Sequence, residues 1–156
     1  SNNYGPNQNR EKLIPKIIIN AFNNKPIPIY GNGKQERDWI FVQDNVEALY
    51  EILVKSKPME TYCIGGMNVV KNIDLVNKIL KLMRLFSSKY NFNLKPKNKL
   101  IKHTVDRKGH DKKYALSIKK LEKNLRWFPK KSFDEGLTET IESYLLELQR
   151  KNLKLK

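Results

Sequence analysis

Four short polar segments combine side chains that can bind a ligand with turn residues that would hold those side chains in place. They are Asn2-Asn3-Tyr4-Gly5-Pro6, the run from Tyr30 to Trp39, Lys71-Asn72, and the run from Asp106 to Asp111. Paired amides such as Asn2 and Asn3 can donate to and accept from a sugar or a nicotinamide. An arginine beside aromatic rings, such as Arg37, suits a diphosphate with a base stacked close by. These residue types favour a nucleotide or sugar site.

The fourth segment follows a predicted strand and contains Arg107, Gly109 and His110. It would bring a guanidinium and an imidazole to the carboxyl end of that strand, where ligands bind in α/β proteins. A solvated turn is the structural alternative for this segment. Similarly, Arg37 could pair with Asp38 or Glu36 at the surface. Asparagines before Gly-Pro are common in turns, and Asn72 could cap a helix. The residues alone leave these alternatives open.

The charge of the chain makes nucleic acid the first partner to consider. Lys and Arg number 31 against 16 Asp and Glu, a formal net charge of +15, and lysines are dense over residues 95–123. However, 25 of the basic residues are Lys and only 6 are Arg, whereas base readout and bidentate phosphate binding favour Arg. We therefore expect nucleic-acid binding to be non-specific only.

Length and composition indicate a globular, intracellular protein. The 156 residues are enough for one domain, and 39% of them are hydrophobic. No apolar run approaches the roughly 18 residues that a membrane span requires. The single cysteine, Cys63, fits a reducing compartment and is expected to be buried. We therefore predict a cytoplasmic protein with no membrane segment.

The elements that position the polar segments are short strands and helices that alternate along the sequence. This alternation predicts an α/β fold. Leu13–Phe22 is a mostly buried helix, and Pro15 suits its first turn. Ile27–Tyr30 is extended, Gly31-Asn32-Gly33 is a turn, and 37–42 is a β-rich run, so a small hairpin is expected there.

Further along the chain, Asp44 stands where the N-cap of a helix carrying Val46, Leu49 and Leu53 is expected. The remaining predicted elements are a buried strand at Thr61–Ile64, a helix beginning near Asp74, a loop at 87–99, a strand at Leu100–Val105, a helix capped by Ser117, and a helix at Phe133–Leu148. The basic tail 149–156 is expected to be frayed.

Several signatures of catalytic α/β proteins do not occur in this sequence. There is no G-x-G-x-x-G or G-x-x-G-x-x-G opening a strand–helix unit, no Tyr-x-x-x-Lys pair, no nucleophile elbow and no metal-ligand cluster. The chain therefore lacks the glycine turn with which dinucleotide-binding folds hold a pyrophosphate. We predict no catalytic residue and no metal ligand in it.

Taken in order, the segments resemble the carboxyl-terminal half of the dTDP-glucose 4,6-dehydratases, a family of extended short-chain dehydrogenase/reductases. The resemblance runs from Ser1 to about Leu146. It is carried by Asn2-Asn3-Tyr4-Gly5-Pro6, Glu11-Lys12-Leu13-Ile14-Pro15, Pro28-Ile29-Tyr30-Gly31, Arg37-Asp38-Trp39, Tyr62-x-Ile64-Gly65-Gly66, Asp106-Arg107-x-Gly109-His110-Asp111 and Trp127-x-Pro129. Any one of these motifs is shared with other nucleotide-sugar epimerases and dehydratases.

The resemblance implies a fold and a reaction. Family members have a Rossmann NAD domain and a smaller carboxyl-terminal domain that binds the nucleotide sugar. They convert dTDP-glucose to dTDP-4-keto-6-deoxyglucose and water. By resemblance, Asn2 contacts NAD and Asn3 contacts the substrate. Further implied contacts with the dTDP-sugar are Lys12, Leu13, Ile14, Pro15, Lys16, Ile17, Pro28, Ile29, Tyr30, Arg37, Asn72, Asp106, Arg107, Lys108, Gly109 and His110.

The sequence also departs from the family pattern. Lys108 replaces the proline usual in its turn, and the family's NAD-binding glycines and catalytic Tyr and Lys have no counterpart here. The chain opens inside a polar turn, so we expect it to be part of something longer. We expect residues 1–148 to be a nucleotide-sugar-binding region without its Rossmann half. The chain alone should neither bind NAD nor turn over substrate. The candidate partners are a separate amino-terminal half and a homodimer partner.

Two other functions are carried as alternatives. One is the same half of another nucleotide-sugar epimerase or dehydratase. The other is a basic nucleic-acid-binding module.

Overall fold

Short strands and longer helices alternate along the chain in a computed structural model that describes residues 1–154, with side chains through Lys151. The elements are β1 (Asn2–Tyr4), α1 (Leu13–Phe22), β2 (Ile27–Tyr30), β3 (Glu36–Phe41), α2 (Val42–Lys55), β4 (Val69–Lys71), α3 (Asn72–Phe86), α4 (Lys97–Leu100), β5 (Ile101–Thr104), β6 (Lys113–Tyr114), α5 (Lys119–Leu125) and α6 (Phe133–Lys154). The predicted α/β class is confirmed, and three of the four strand pairings are parallel.

Strand β3 organises the larger sheet. It pairs in parallel with β1, so that Asn2 lies opposite Trp39, in parallel with β6, and antiparallel with β4. Strand β2 instead pairs in parallel with β5 in a separate two-stranded sheet. The predicted β2–β3 hairpin is therefore wrong. The turn exists, since Gly33 N–H donates to the Tyr30 carbonyl at 3.1 Å, but it redirects the chain between two sheets.

Side chains on the two faces of β3 pack into two separate hydrophobic cores. Trp39 and Phe41 face the larger core, which is built from α1, α3, α6 and the strands around them. Ile40 faces the opposite way, into a smaller core formed with residues of α2, α5 and Trp127. Because successive side chains of a strand point to opposite faces, Arg37 shares the face of Trp39 and Phe41.

Two predicted helix caps are wrong. Helix α2 already begins at Val42, and Asp44 lies inside its first turn, where the buried carboxylate accepts the backbone N–H groups of Lys130 and Lys131, each at 3.1 Å. Helix α5 begins after Ile118 without a side-chain cap, so Ser117 does not cap it. In the first case a long-range acceptor role outweighs the local preference of Asp for an N-cap.

The region around α2 differs from the prediction in exposure. The apolar residues Val46, Leu49 and Leu53 are 53%, 53% and 82% exposed. Residues 61–64 do not form the predicted strand, and Cys63 is exposed rather than buried. The helix beginning near Asp74 is confirmed as α3, whose Leu75, Val76, Ile79, Leu80 and Met83 are buried.

The terminal helix is longer than predicted. It continues from Phe133 past Leu148 to Lys154 and so includes much of the predicted tail, while residues 155 and 156 lie outside the described part of the chain. Leu148 is buried. None of the helices in residues 1–154 is both long and apolar enough to cross a membrane.

Candidate functional site

A cleft of about 580 Å³ opens where β1, β2, β3 and the start of α1 meet. This volume lies within the range of small-molecule sites. The cleft is lined by Asn2, Asn3, Gln8, Glu11, Lys12, Leu13, Lys16, Pro28, Ile29, Tyr30, Arg37, Trp39, Asn72, Arg107 and His110. All four polar segments therefore contribute side chains to one site, although they lie far apart in sequence.

Most of the predicted site residues line this cleft, but three residues of α1 do not. Ile14, Pro15 and Ile17 are buried in the core, whereas Leu13 and Lys16 face the cleft. The helical repeat explains the difference, because positions three apart share a face and the intervening residues point elsewhere. Ile14, Pro15 and Ile17 lie behind the cleft wall, and their implied contact with the dTDP-sugar stays a prediction.

Three residues of the predicted 106–110 contact turn also lie outside the lining. Lys108 and Gly109 are exposed at the tip of the turn, and an added Cβ at Gly109 would meet nothing within 4 Å. Asp106 instead binds groups within the protein. Only Arg107 and His110 reach the cleft from this turn.

The charged end of the cleft is a cluster of Tyr30, Asp106, Arg107 and His110. The Arg107 guanidinium carbon lies 5.0 Å from the Tyr30 ring centre, and the His110 ring meets the same tyrosine edge-on at 6.0 Å. His110 Nδ1 lies 2.6 Å from Asp106 Oδ1, and this hydrogen bond is the largest cause that holds the pKa of Asp106 below its ordinary value. The cluster can present a flat guanidinium and an aromatic ring to a ligand.

Arg37 reaches the cleft from β3 and makes no ion pair with either neighbouring carboxylate. Its Nη1 donates to the backbone carbonyls of Glu36 at 2.7 Å and Asp111 at 3.0 Å. The carboxylate of Asp38 points away and accepts the N–H groups of Gly66 at 2.9 Å and Asn68 at 2.8 Å. The surface ion pair considered for Arg37 is therefore not formed.

The cleft carries an excess of positive charge. Lys12, Lys16, Arg37 and Arg107 line it together with one carboxylate, Glu11. Among the side chains that the structure describes, none of the four cations lies within ion-pair distance of a carboxylate, whereas Lys89 and Lys131 each pair with a glutamate of α6. Unpaired cations gathered in a concave site favour binding of an anion.

Part of the cleft wall is apolar. Leu13 from α1 and Pro28, Ile29 and Tyr30 from β2 line it. A wall of this kind suits the face of a planar ring, as aromatic and aliphatic groups do in other ligand sites.

Three residues of the cleft each carry a buried polar atom without a hydrogen-bond partner among the described residues. They are Asn72 Oδ1, Gln8 Oε1 and Trp39 Nε1. Asn72 is the first residue of α3, and its side chain does not cap that helix, so the capping alternative is wrong. Buried polar groups normally have partners, and a bound polar ligand is one way to supply them.

Sequence reasoning missed three lining residues, Gln8, Glu11 and Trp39. Trp39 could have been found, because it lies two residues from Arg37 on a strand and so shares its face. Glu11 could have been found from its position beside Lys12 at the helix start. Gln8 carries no such signal, and the loop conformation alone places it in the cleft.

The junctions between β3 and α2 and between β4 and α3 do not carry the glycine turn with which dinucleotide-binding folds hold a pyrophosphate. Strand β3 leads directly into α2, and β4 into α3, without an intervening glycine. Gly31 and Gly33, which adopt positive φ, connect two strands and do not lead into a helix. A dinucleotide pyrophosphate needs a glycine turn before a helix N-terminus. Asn2 remains the one residue implied to contact the cofactor. No group of three or more potential metal ligands occurs within the described chain.

A family model described as GDP-mannose 4,6 dehydratase matches residues 1–140. The chain belongs to this family. It is 46% identical over 145 residues to a dTDP-glucose 4,6-dehydratase of Escherichia coli. The matched region covers 93% of this chain and 40% of that enzyme. The corresponding enzyme of Neisseria gonorrhoeae is 42% identical over the same length. The match is to the carboxyl-terminal part of these proteins, so the chain spans about 40% of the length of the curated relatives it matches.

Solved structures agree with this assignment. The chain superposes on dTDP-glucose 4,6-dehydratase of Bacillus anthracis in complex with NAD with a TM-score of 0.81 and 38% identity, covering 99% of this chain and 44% of that one. It superposes on the dTDP-glucose 4,6-dehydratase of Streptomyces venezuelae, with NAD and TYD bound, with a TM-score of 0.83 and 31% identity, covering 99% and 43%. The fold is thus that of the carboxyl-terminal part of a Rossmann-type extended short-chain dehydrogenase/reductase, as predicted.

Proposed function

We propose that residues 1–148 form the nucleotide-sugar-binding region of a dTDP-glucose 4,6-dehydratase, a cytoplasmic enzyme of nucleotide-sugar conversion. The observation that carries this proposal is the convergence of the four polar segments on one cleft with unpaired cations. The buried Leu148 supports the end of the region. The complete reaction converts dTDP-glucose to dTDP-4-keto-6-deoxyglucose and water with NAD supplying the redox chemistry.

The chemistry of the lining suggests how the ligand lies. The apolar wall of Leu13, Pro28 and Ile29 suits the thymine ring. Arg37 and Arg107 offset the charge of the diphosphate, and bidentate guanidinium contacts add direction to that attraction. The amides of Asn3 and Asn72 can donate to and accept from hydroxyl groups. Residues of this chain therefore bind and orient the nucleotide sugar, and the hydride and proton transfers require groups that this sequence does not contain.

Selective loss of dTDP binding tests the proposal. We expect wild-type protein to bind dTDP weakly, with a Kd on the order of 0.1–1 mM, as followed by NMR titration. Removing a charge-assisted bidentate contact costs a few kcal/mol, so Arg37→Ala and Arg107→Ala should abolish detectable binding. Lys95→Ala and Lys99→Ala remove the same charge from exposed side chains outside the cleft and serve as matched controls. Equal behaviour of all four variants would contradict the proposal.

A related nucleotide-sugar enzyme is the second candidate. The fold also superposes on an epimerase of Methanothermobacter thermautotrophicus with 27% identity and a TM-score of 0.79. Repeating the titration with UDP and GDP separates the two candidates. We expect dTDP to bind most tightly, and a preference for another nucleoside diphosphate would favour the second candidate.

The wild-type protein and variants used for the dTDP titration also test nucleic-acid binding as an alternative function. Contacts made by scattered lysines should weaken steeply with salt and should not depend on Arg37. If duplex DNA binds at physiological salt and dTDP does not, the cleft is not the functional surface of this chain.

A further inference from the structure

Asp106 accepts three hydrogen bonds from groups of the protein, although it stands on the turn that supplies Arg107 and His110 to the cleft. Its Oδ1 accepts His110 Nδ1–H at 2.6 Å and the backbone N–H of Arg107 at 2.9 Å. Its Oδ2 accepts Gln35 Nε2–H at 2.6 Å. Asp106 does not line the cleft, so its carboxylate can affect a ligand there through its neighbours.

The hydrogen bonds fix the tautomer of His110. A carboxylate only accepts, so the proton of the neutral imidazole lies on Nδ1, and Nε2 keeps its lone pair. Arg107 Nη2 lies 3.1 Å from that Nε2. A guanidinium only donates, so Arg107 donates to His110 and the chain of donors runs from Arg107 through His110 to Asp106.

Gln35 and Gly31 hold Asp106 at the far end of this series of hydrogen bonds. Gln35 is 7% exposed, and its backbone carbonyl accepts the N–H of Asn72 at the start of α3. Gly31 packs against Asp106 so closely that an added Cβ would lie 3.0 Å from Oδ2. The side chain of His110 is 5% exposed. Asp106 is therefore held between a buried glutamine and a glycine turn, and it holds a nearly buried imidazole in turn.

We propose that Asp106, held by Gln35, is a positioning residue that aims the Arg107 guanidinium at the ligand's phosphates through His110. This inference rests on the proposed function, because it names the phosphates of the nucleotide sugar as the target. Holding Arg107 stacked on Tyr30 before the ligand arrives lowers the entropy that binding must remove. The carboxylate thus strengthens anion binding despite carrying a negative charge itself.

The sign of a substitution separates positioning from simple electrostatics. By Coulomb's law, removing a negative charge beside an anion site should strengthen anion binding. Positioning predicts the opposite. We therefore expect Asp106→Asn to raise the Kd for dTDP about five- to tenfold. Asp111→Asn makes the same charge change on an exposed side chain in the same turn and should leave the Kd unchanged or slightly lower. Gln35→Met, which keeps the volume but removes the donor, should raise the Kd by a smaller factor.

A second readout reports the tautomer directly. Imidazole ¹⁵N shifts at pH 8, where an ordinary histidine is neutral, should show protonated Nδ1 for both histidines of wild-type protein. Asp106→Ala, which removes both acceptor oxygens, should move His110 towards the Nε2-protonated form. His103 is the internal control, because its Nδ1 lies 2.8 Å from the Gly31 carbonyl and does not touch Asp106. The backbone ¹H–¹⁵N spectrum of each sample confirms that the variant is folded.

The outcomes distinguish this inference from the function on which it rests. Wild-type protein that binds dTDP, with an Asp106→Asn variant that binds it equally or more tightly, overturns the positioning role alone. An unchanged His110 tautomer in the Asp106→Ala variant overturns it as well. Wild-type protein that binds no dTDP overturns the proposed function and the phosphate target together.

Discussion

Replacing Asp38 by alanine should be the most damaging single change near the cleft. The buried carboxylate joins β3 to the 65–68 loop by accepting the N–H groups of Gly66 at 2.9 Å and Asn68 at 2.8 Å. The loop cannot move in to compensate, because an added Cβ at Gly66 would already lie 1.8 Å from the Trp39 carbonyl oxygen. Asp38→Ala therefore leaves the backbone N–H groups of Gly66 and Asn68 without this acceptor, at the contact between β3 and the loop.

The expected loss follows from the number of bonds. Each hydrogen bond to a charged acceptor contributes about 1.5–3 kcal/mol, and Asn68 is only half-buried, so we expect a loss of about 3–4 kcal/mol in the free energy of unfolding. That is a large share of the roughly 5–15 kcal/mol of a typical domain. Urea denaturation followed by circular dichroism measures it. Asp111→Ala, the same change on an exposed turn, should stay within about 0.5 kcal/mol of wild type. A loss below about 1 kcal/mol for Asp38→Ala would refute the reasoning.

Three further predictions concern activity, packing and pH. The isolated chain should not turn over dTDP-glucose with NAD, because the glycine turn and a positioned base are missing from it; keto-sugar absorbance in alkali from pure chain would contradict this. Gly136→Ala should lower the free energy of unfolding by about 1–2 kcal/mol, since its Cβ would lie 2.5 Å from the Tyr4 hydroxyl and overpacking exceeds the gain in helix propensity; a stabilised variant would show that this helix can shift. Hydrogen bonds from His110, Arg107 and Gln35 lower the pKa of Asp106 below its ordinary 3.8, so its stabilising contribution is complete above that pH and is lost as pH falls through the lower folded value. The stability difference between wild type and Asp106→Asn should therefore be constant above about pH 5 and shrink in stronger acid, and a difference that shrinks instead between pH 7 and 6 would contradict the assignment.

Local features of the fold could be predicted from sequence because they depend on neighbouring residues. Helix α1 has the predicted bounds, and strand β2 occupies the predicted run of Ile27–Tyr30. The β2–β3 hairpin could not be excluded, because the partners of β3 are β1, β4 and β6, which are distant in sequence. A turn signal such as 31–33 shows that the chain reverses but does not show which strand it then joins.

In the site, too, residue types could be predicted from sequence, whereas contacts between distant segments could not. Residue types and their resemblance to a family identified Arg37, Arg107, His110 and Asn72, and the structure brings all four to one cleft. The roles of Asp38 and Asp44 could not be predicted, because each carboxylate accepts backbone N–H groups from a segment far along the chain. The sequence left open a surface ion pair of Asp38 with Arg37 and favoured an N-cap role for Asp44. Both carboxylates are instead buried and take neither role.

The two tryptophan indoles allow the most direct test of the central claim that the cleft binds a nucleoside diphosphate. Trp39 and Trp127 are each 4% exposed, but only Trp39 lines the cleft, while Trp127 belongs to the smaller core. Each gives one indole N–H signal in a ¹H–¹⁵N spectrum. On addition of dTDP at physiological salt, we predict that the Trp39 signal shifts in a saturable way and the Trp127 signal stays in place. Equal shifts of both signals, or no shift of Trp39 at saturating dTDP, would contradict the account.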